Sequence, residues 1–281
     1  RQKASGGMSC TGDLSVANYA YLREYIHQSS GVFLEGDKRY LVESRLTPVA
    51  DRRGLANLDA LCDTLRQARD ITLRQQVVEA MTTHETFFFR DPAQYDVLRA
   101  TIIPLLLERN SSSRRMHFWS AAASSGQEAY SLALLWLTLN LTGWNLEILG
   151  TDLSEQILAR AREARYHQIE TDRGLSQRQM QQYFLAQGSE WQLVEEVRRM
   201  VTFAQIDLRR GVRGLGAFDV IFCRNVLIYF DMETKERILQ DIHSTLKPGG
   251  YLFLGNMEST LNLKVPFQAQ QIGEVVVYQA C

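Results

Sequence analysis

Hydrophobic positions near the start of the chain recur at spacings of three and four, the period of amphipathic helices. The turn residues Gly31 and Gly54 separate successive groups of them. The groups are Tyr21, Leu22, Tyr25 and Ile26, then Leu41, Val42, Leu46 and Val49, then Leu58, Leu61 and Leu65. This pattern predicts a small helical domain over residues 10–80.

The pattern changes after residue 107, where short apolar strands begin to alternate with helices. A linker over residues 81–91 and a helical stretch over residues 92–107 lead into this region. Strands are predicted at residues 115–121, 146–151, 201–206, 218–223, 250–254 and 274–278, with helices that include 127–139, 155–165 and 232–246. The alternation predicts an α/β domain over residues 92–281, a mostly parallel sheet with helices on both faces. Polar, Gln-rich residues from about 167 to 200 predict a small inserted subdomain.

The composition is that of a globular protein, with 45% hydrophobic and 22% charged residues among 281. Because 31 Lys and Arg balance 32 Asp and Glu, the net charge of -1 gives no overall field for a polyanion, and nucleic acid is not an expected partner. The longest apolar stretch, residues 130–139, is shorter than the roughly 20 residues of a membrane span, so direct membrane insertion is not expected.

The cysteines are scattered and lack the spacing of metal ligands. They are Cys10, Cys62, Cys223 and Cys281. This usage predicts a reduced, cytoplasmic protein without a metal site. Residues 1–7 (RQKASGG) precede Met8 and have the small polar character of a cloning scar, so residues 1–9 are expected to lie outside the fold.

A small-residue turn after the first predicted strand carries the main chemical signal. Residues 118–128 (FWSAAASSGQE) run from an apolar strand through Ala122 and Gly126 to Glu128. Such a turn leaves backbone N–H groups open at a helix start, where a nucleotide-like cofactor binds. Asp152, at the end of the second strand, is placed to accept hydrogen bonds from ribose hydroxyls. The alternative is that Asp152 caps the next helix, and capping by Ser154 instead would favour the ribose role.

Residues 118–128, together with residues 82–91 (TTHETFFFRD), resemble the signature of the bacterial chemoreceptor glutamate methyltransferases, the CheR family. The resemblance runs from about Leu14 to the C-terminus. It implies a Rossmann-like class I methyltransferase sheet with an N-terminal helical domain, an inserted subdomain and S-adenosylmethionine as cofactor, with S-adenosylhomocysteine as product. By matching positions it implies cofactor contacts from His84, Thr86, Arg90, Glu128, Asp152, Asp207, Leu208, Cys223 and Arg224. Two departures are His84, where some members carry Asn, and Asn256-Met257-Glu258 in place of a Gly-His-Ser-Glu type of segment.

Two of these carboxylates have other interpretations from the residues alone. Glu128 would pair with the methionyl ammonium of the cofactor, but a Glu in the first helical turn also complements the helix dipole. Asp207 follows an apolar strand and would accept from the adenine amino group, with Leu208 as apolar cover. The alternative for Asp207 is an ordinary strand-end turn.

The strand at residues 218–223 ends in Cys-Arg-Asn-Val, where many nitrogen methyltransferases carry an Asn/Asp-Pro-Pro-Tyr type of motif. An arginine there favours an anionic acceptor, because a guanidinium binds a carboxylate bidentately. A glutamate acceptor, with a pKa of about 4.3, is already ionised at neutral pH and needs no general base. Arg90, Arg224 and Tyr229 are the candidates for holding the reacting groups, and His84 is disfavoured as a base. Alternatively, Arg90 is a structural ion-pair partner of Asp91 or of another acid, and Tyr229 belongs to the core with a satisfied hydroxyl.

The resemblance implies that the substrate is a set of glutamates on the cytoplasmic methylation helices of chemoreceptors. Lys38, Arg45 and Arg52 are spaced by seven and, with Arg53, would form a basic docking stripe on the second helix. The alternative is a solvated face balanced by nearby acids, and Pro48 is expected to interrupt the helix. Residues 183–191 (YFLAQGSEW) resemble members that work without a receptor pentapeptide tether.

Two other functions stay open at this point. One is an S-adenosylmethionine methyltransferase of a small carboxylic acid, in which the N-terminal helices form a lid. The other is a non-enzymatic module that uses the bound cofactor as a sensor. The presence of Arg90, Arg224 and Tyr229 favours an enzyme.

Overall fold

The computed structural model describes residues 14–67, 70–212 and 214–281. The scar expected over residues 1–9 lies outside these ranges. The chain divides into two compact units, one that ends at Thr83 and one that begins at His84. Over the described ranges, no helix is both long enough and apolar enough to cross a bilayer.

The described residues of the first unit form helices with the predicted period. They are α1 (Val16–Ser30), α2 (Arg39–Arg52), α3 (Leu58–Arg66) and α4 (Ile71–Met81). Ser15, Asn57 and Asp70 start three of them as N-caps, each accepting a backbone N–H of the first turn. Pro48 does not interrupt α2, contrary to the sequence-based expectation, because the helix runs continuously from Arg39 to Arg52 around it. The C=O of Ser44, which loses its helical donor there, lies on an exposed residue that water reaches.

The second unit opens with a helix that contains a π turn and continues into alternating strands and helices. Its elements are α5 (Pro92–Val97), a π turn (Leu98–Ile102), α6 (Ile103–Arg109), β1 (Arg115–Ala121), α7 (Gln127–Thr138), β2 (Asn145–Asp152) and α8 (Glu155–Glu163). An insertion follows with β3 (Arg165–His167), α9 (Gln168–Thr171), α10 (Gln177–Tyr183), β4 (Phe184–Gln187), β5 (Glu190–Leu193) and α11 (Glu195–Arg198). The chain then forms β6 (Val201–Gln205), β7 (Phe218–Cys223), α12 (Met232–Thr245), β8 (Leu246–Leu254), β9 (Phe267–Ile272) and β10 (Val275–Ala280).

These strands form a seven-stranded sheet in the order β6-β2-β1-β7-β8-β10-β9. The pairs from β6 to β8 are parallel, and β10 is antiparallel to both of its neighbours. The predicted α/β class is therefore confirmed. The sequence-based prediction missed β9, whose sequence FQAQQI is polar because an edge strand needs little apolar surface. It also missed the separate three-stranded antiparallel sheet of the insertion, in the order β3-β5-β4.

Both faces of the sheet are buried, which explains its continuous apolar strands. Phe118, Phe222 and Phe253 belong to one hydrophobic cluster, whereas their chain neighbours Trp119, Ile221 and Leu252 belong to the cluster on the other face. Strand register places Trp119 opposite Ile221 and Ile221 opposite Leu252. Because side chains alternate along each strand, two apolar layers form, and they fix the register of β1, β7 and β8.

A charge cluster fixes the end of the sheet where these strands begin. The buried Asp219 accepts hydrogen bonds at Oδ1 from Arg109 and Asn110 (both 2.8 Å) and at Oδ2 from the His117 N–H (2.9 Å) and Lys247 Nζ (2.7 Å). Burial acts to raise the pKa of Asp219, but the hydrogen bonds from Asn110, Lys247 and His117 outweigh it and hold that pKa below its usual range. This cluster joins α6, β1, β7 and β8.

Candidate functional site

The order of the strands reverses at β1, since β2 lies on one side of it and β7 on the other. Ala121, the last residue of β1, pairs with Thr151 of β2 and Cys223 of β7. The loops that follow these strands therefore start at the same level of one rim. In doubly wound sheets this is where ligands bind.

The turn after β1 has a fixed and unusual backbone. Ala122 and Ser124 have φ of 62° and 52°, and Gly126, with φ of 94°, begins α7 as its N-cap. A Cβ on Gly126 would lie 3.1 Å from both Ala161 Cβ and Tyr130 Cε2, so the glycine is required by backbone conformation and by packing beneath the turn. Gly126 thus shapes the turn, with its missing Cβ directed at the core.

Asp152 holds two loops of the rim together. Its Oδ2 accepts the Ser124 N–H (2.9 Å) and its Oδ1 accepts the Ser154 N–H (3.1 Å). The N-cap of α8 is Ser154, whose hydroxyl accepts the Ile157 N–H (3.1 Å). The sequence-based alternative, in which Asp152 caps α8, is therefore wrong. The carboxylate stays at the rim, 8% exposed.

Glu128, in the first turn of α7, points its carboxylate into the same region. Oε1 accepts the Ser120 hydroxyl (2.7 Å), and Oε2 lies 3.2 Å from an N–H of Arg224. Burial raises the pKa of Glu128 above its usual range, and Arg224 and Ser120 offset this only in part. A further cation near Glu128 would therefore be stabilised.

Arg224, directly after β7, is a buried hub with only 1% of its side chain exposed. Besides Glu128, its guanidinium donates to Asp91 Oδ2 (2.5 Å) and to the Arg90 carbonyl (2.7 Å). Burial acts to lower the pKa of Arg224, but Glu128, Tyr95 and Asp91 outweigh it and the pKa rises. Its charge is thus matched by carboxylates of this chain. Two of its three guanidinium nitrogens donate to groups of this chain, and the buried Nε has no hydrogen-bond partner among the described residues. The structure therefore offers no exposed donor for the sequence-based role of Arg224, binding of an acceptor carboxylate.

Arg90 differs from Arg224 because its side chain is half-buried. Among the described residues, the Arg90 guanidinium makes one hydrogen bond, to the Glu85 carbonyl (3.2 Å), and its Cζ lies 5.6 Å from the centre of the Phe87 ring. Its charge acts on Glu128, whose pKa it helps to lower. Asp91 pairs with Arg224, so the alternative in which Arg90 pairs with Asp91 is wrong.

The rest of the 84–91 segment is attached to the turn and to α7. The Ser124 hydroxyl donates to the His84 carbonyl (3.0 Å), and the Phe89 N–H donates to the Ser131 hydroxyl (2.9 Å). Thr86 lies between these two attachments and is half-buried. The segment therefore covers the turn at the same rim.

Residues of the insertion contact both the turn after β1 and the 84–91 segment. The Tyr166 hydroxyl donates to the Ser125 carbonyl (2.8 Å), and the Arg173 guanidinium lies 3.7 Å from the centre of the Phe87 ring. A Cβ on Gly174 would lie 1.8 Å from the Phe88 carbonyl oxygen, so only glycine permits this approach. No sequence motif predicts these contacts.

The residues predicted to surround the adenine are buried or paired with another side chain of this chain. The Asp207 carboxylate forms a two-point ion pair with Arg209, with Nε to Oδ1 at 2.9 Å and an NH2 to Oδ2 at 2.7 Å. Leu208 is 7% exposed and starts a 3-10 turn, and the Cys223 side chain is fully buried. Burial raises the pKa of the Cys223 thiol. Asp207 thus meets a cation of its own chain, and Cys223 presents only its backbone to the rim.

The loop after β7 leads from Arg224 to Tyr229 and also lies at the rim. Tyr229 ends a 3-10 turn, is half-buried, and has no hydrogen-bond partner for its hydroxyl within the described ranges. Of the nine non-glycine residues with positive φ in the described ranges, five lie in the 84–91 segment, the turn after β1 and the loop after β7, at Phe89, Asp91, Ala122, Ser124 and Asn225. Backbone strain of this kind gathers at functional sites.

Comparison with known proteins assigns this site to a family. A family model described as the CheR methyltransferase SAM-binding domain matches residues 84–276, and one described as the CheR methyltransferase all-alpha domain matches residues 17–82. The chain belongs to the CheR methyltransferase family. Its cofactor is accordingly S-adenosylmethionine, and its fold is the class I methyltransferase sheet with an N-terminal helical domain.

Relatives of the CheR family align over nearly the whole chain. The chain is 39% identical to chemotaxis protein methyltransferase 1 of Pseudomonas aeruginosa, over 94% of this chain and 98% of that protein. It is 39% identical to chemotaxis protein methyltransferase Cher2 of Pseudomonas putida (96% and 99% covered). With a Vibrio parahaemolyticus chemotaxis protein methyltransferase the identity is 35% (95% and 98% covered).

The residues of this CheR rim fit S-adenosylmethionine. The buried Glu128 carboxylate, whose pKa is raised, suits a second cation such as the methionyl ammonium. Asp152 supplies a carboxylate at the end of β2, where a ribose is bound in such sheets. These two side chains, with the turn from Ala122 to Gly126, are the residues that would hold the cofactor.

The predicted basic stripe in the CheR all-alpha unit is divided by the structure. Lys38 and Arg52 are exposed. Arg45 instead donates to the Met81 carbonyl (2.8 Å) and the Thr83 hydroxyl (3.0 Å), and Arg53 pairs with Asp70 (2.9 Å). The reason is that α2 packs against α4, which turns two of the four side chains inward within this unit. A stripe of four free cations is therefore not present.

Proposed function

We propose that this protein is a protein-glutamate O-methyltransferase that esterifies glutamate side chains on the cytoplasmic methylation helices of bacterial chemoreceptors. Family membership and relatives in chemotaxis support the setting. The observation that carries the proposal is Arg90, a half-buried cation that makes one hydrogen bond among the described residues and acts electrostatically on Glu128. Such a group suits an anionic acceptor.

The chemistry asks little of acid–base groups. When bound, S-adenosylmethionine supplies an activated methyl group on its sulfonium. A glutamate acceptor with a pKa of about 4.3 is ionised at neutral pH, so the protein's residues have to bind and orient a carboxylate and exclude water. Arg90 and the Tyr229 hydroxyl are the groups we assign to this task.

We assign Arg224 a different role from that expected from the sequence. Its guanidinium connects Asp91 and the Arg90 carbonyl to Glu128, and almost none of it is exposed. It therefore acts as a positioning residue that fixes Arg90 relative to Glu128. The acceptor meets Arg90.

Methyl transfer to a receptor fragment tests the proposed function. Methyl-labelled S-adenosylmethionine is incubated with the protein and the methylation-helix region of a chemoreceptor, and label is then released with alkali. We expect base-labile label, which shows an ester. Base-stable label, or label only on small carboxylic acids, would contradict the proposal.

Two arginine variants sharpen this experiment. Arg90→Ala should lower the rate of ester formation by about 100-fold, the order expected when an oriented electrostatic contact at the reacting group is lost. Arg99→Ala is the matched control, because Arg99 is an exposed arginine paired with Asp96 on the helical stretch after Arg90. It should keep the rate of the unaltered protein.

A further inference from the structure

A single carboxylate, Glu258, gathers four backbone N–H groups at the rim. Oε2 accepts from Asn225 (2.7 Å) and Gly255 (2.8 Å), and Oε1 accepts from Val226 (2.9 Å) and Ile228 (3.2 Å). Three of these donors belong to the loop after β7, whereas Glu258 itself follows β8. One side chain thus binds a loop that is at least 30 positions away in the chain.

The bound loop has the geometry of an anion-binding nest. Asn225 is left-handed, with φ of 57°, and the N–H groups of neighbouring residues converge on the carboxylate. Backbone concavities of this kind bind anions. Here the anion is supplied by the protein, so the loop conformation depends on Glu258.

The loop held by Glu258 connects a positioning residue, Arg224, with a residue of the proposed acceptor site, Tyr229. It begins directly after the buried Arg224 and ends at Tyr229, which is assigned above to the acceptor. Arg224 is fixed by its own ion pairs with Asp91 and Glu128, but the described residues give the Tyr229 hydroxyl no hydrogen bond. The position of Tyr229 therefore depends on the backbone of its loop.

We propose that Glu258 is a positioning residue for methyl transfer, which sets Tyr229 at the acceptor by fixing the loop after β7. The choice of acceptor rests on the proposed function, while the fixing of the loop does not. A misplacement of about 1 Å at an acceptor contact costs on the order of 100-fold in rate, so loss of the carboxylate should be visible in kcat.

The structure offers a second variant that disturbs the same contact without changing the carboxylate. A Cβ on Gly255 would lie 2.8 Å from Glu258 Oε2, 2.8 Å from Asn225 Nδ2 and 2.9 Å from Asn225 N. Gly255→Ala therefore pushes Glu258 and the loop apart by sterics. Glu258→Gln instead keeps the shape and removes the charge and one acceptor oxygen.

The test compares Glu258→Gln, Gly255→Ala, the double variant and the control Glu233→Gln. Glu233 is an exposed glutamate at the start of α12. We expect kcat for the receptor fragment at saturating cofactor to fall about 10- to 100-fold in each single variant. The Kd of S-adenosylhomocysteine should stay within about threefold, and the double variant should be about as slow as the slower single variant, because both changes act on one loop. Glu233→Gln should match the unaltered protein.

Amide hydrogen exchange separates this inference from the proposed function. Exchange at residues 225–229 should be at least about tenfold faster in Glu258→Gln, whatever the acceptor is. Unchanged exchange would overturn the inference, as would a kcat within twofold of the unaltered protein or a loss of S-adenosylhomocysteine affinity that parallels the loss of kcat. Faster exchange in a protein that never esterifies receptor fragments would instead count against the proposed function.

Discussion

The guanidinium of Arg224 donates to the carboxylate of Asp91 across 2.5 Å, although the two residues are 133 positions apart in the chain. Through this pair the segment before α5 is bound to the loop after β7. Glu128 adds the third partner at 3.2 Å. The segment before α5, the loop after β7 and the first turn of α7 therefore share one buried charge network, and its removal should affect both stability and binding.

Replacing Arg224 by Ala should lower the free energy of unfolding by about 3 kcal/mol, measured by urea denaturation. The loss arises because the carboxylates of Glu128 and Asp91 remain without their cation, and it should lie near the lower end for broken buried pairs because Asp91 is 26% exposed. The control Arg99→Ala removes an exposed ion pair with Asp96 and should change stability by less than about 1 kcal/mol. Equal losses in the two variants would contradict a buried network.

Glu128→Gln should weaken the binding of S-adenosylhomocysteine by about 10- to 100-fold in calorimetry. The change would remove the charge-assisted contact that we propose between Glu128 and the ammonium of the ligand, worth about 1.5–3 kcal/mol. Glu147→Gln is the control, since Glu147 is 63% exposed at the side-chain level and lies on β2, away from the rim loops. A matching loss in the control would mean that the assignment of Glu128 is incorrect.

The same carboxylate should give cofactor binding a pH dependence. Because burial raises the pKa of Glu128, protonation removes its charge at a higher pH than the value of about 4.3 for an ordinary glutamate. Affinity for S-adenosylhomocysteine should therefore fall as the pH drops through the raised pKa, which is at a higher pH than an ordinary glutamate would give. The part of this fall that is due to Glu128 should be missing in Glu128→Gln.

The stability that Asp219 contributes should be lost as the pH falls. A buried acid without partners would show the opposite dependence. Its folded-state pKa is depressed, so its contribution is full above the unfolded value of about 3.9 and is lost as the pH falls from there through the lower folded value. Asp219→Asn should lower the free energy of unfolding at pH 7 by about 3 kcal/mol, since the partly exposed Arg109 and Lys247 can be resolvated. It should also flatten the decline at acid pH, whereas Asp96→Asn should do neither.

The exposed cations of α2 make a docking prediction. Charge reversal at Lys38 and Arg52 together should raise the KM for a receptor fragment about fivefold at low salt, and less at high salt, because acidic partners are steered by exposed charge. Affinity for S-adenosylhomocysteine should not change. Reversal at Arg99 and Arg115, both exposed in the other unit, is the control. An unchanged KM in the α2 variant would contradict a docking role for Lys38 and Arg52.

Independence from a pentapeptide tether is also open to measurement. The segment predicted to matter forms α10, β4 and β5, with the turn at Gly188 between the two strands. Calorimetric titration with a free receptor-terminal pentapeptide should give no binding heat at concentrations that saturate tether-dependent members. Saturable binding would reverse this prediction.

The seven-stranded sheet shows how far local pattern reaches. The predicted strands at residues 115–121 and 218–223 coincide with β1 and β7, because central strands buried on both faces must be continuously apolar. The sequence did not predict the polar edge strand β9 or the short strands of the insertion, since neither satisfies a strand pattern by itself. They are strands because a neighbour offers its open hydrogen-bonding edge.

The site shows the same division at the level of single residues. The family and the cofactor that the sequence motifs implied are confirmed, whereas the roles of Glu128, Asp152 and Arg90 stay predictions. Glu258 was not among the predicted site residues. The available signal was that it keeps the glutamate of the Gly-His-Ser-Glu type of segment. Its four backbone donors come from two loops, and no sequence pattern records such a set.

What the sequence determined by itself is what local chemistry dictates: the helical first unit, the α/β sheet, the turn from Ala122 to Gly126, and the family with its cofactor. Only the tertiary structure decided which cations are open. Arg224, Arg45 and Arg53 meet partners of their own chain, whereas Arg90 keeps most of its guanidinium unused among the described residues. The physical reason is that a charge is matched by whatever the fold brings within about 4 Å, and that neighbourhood is set by packing across the whole unit.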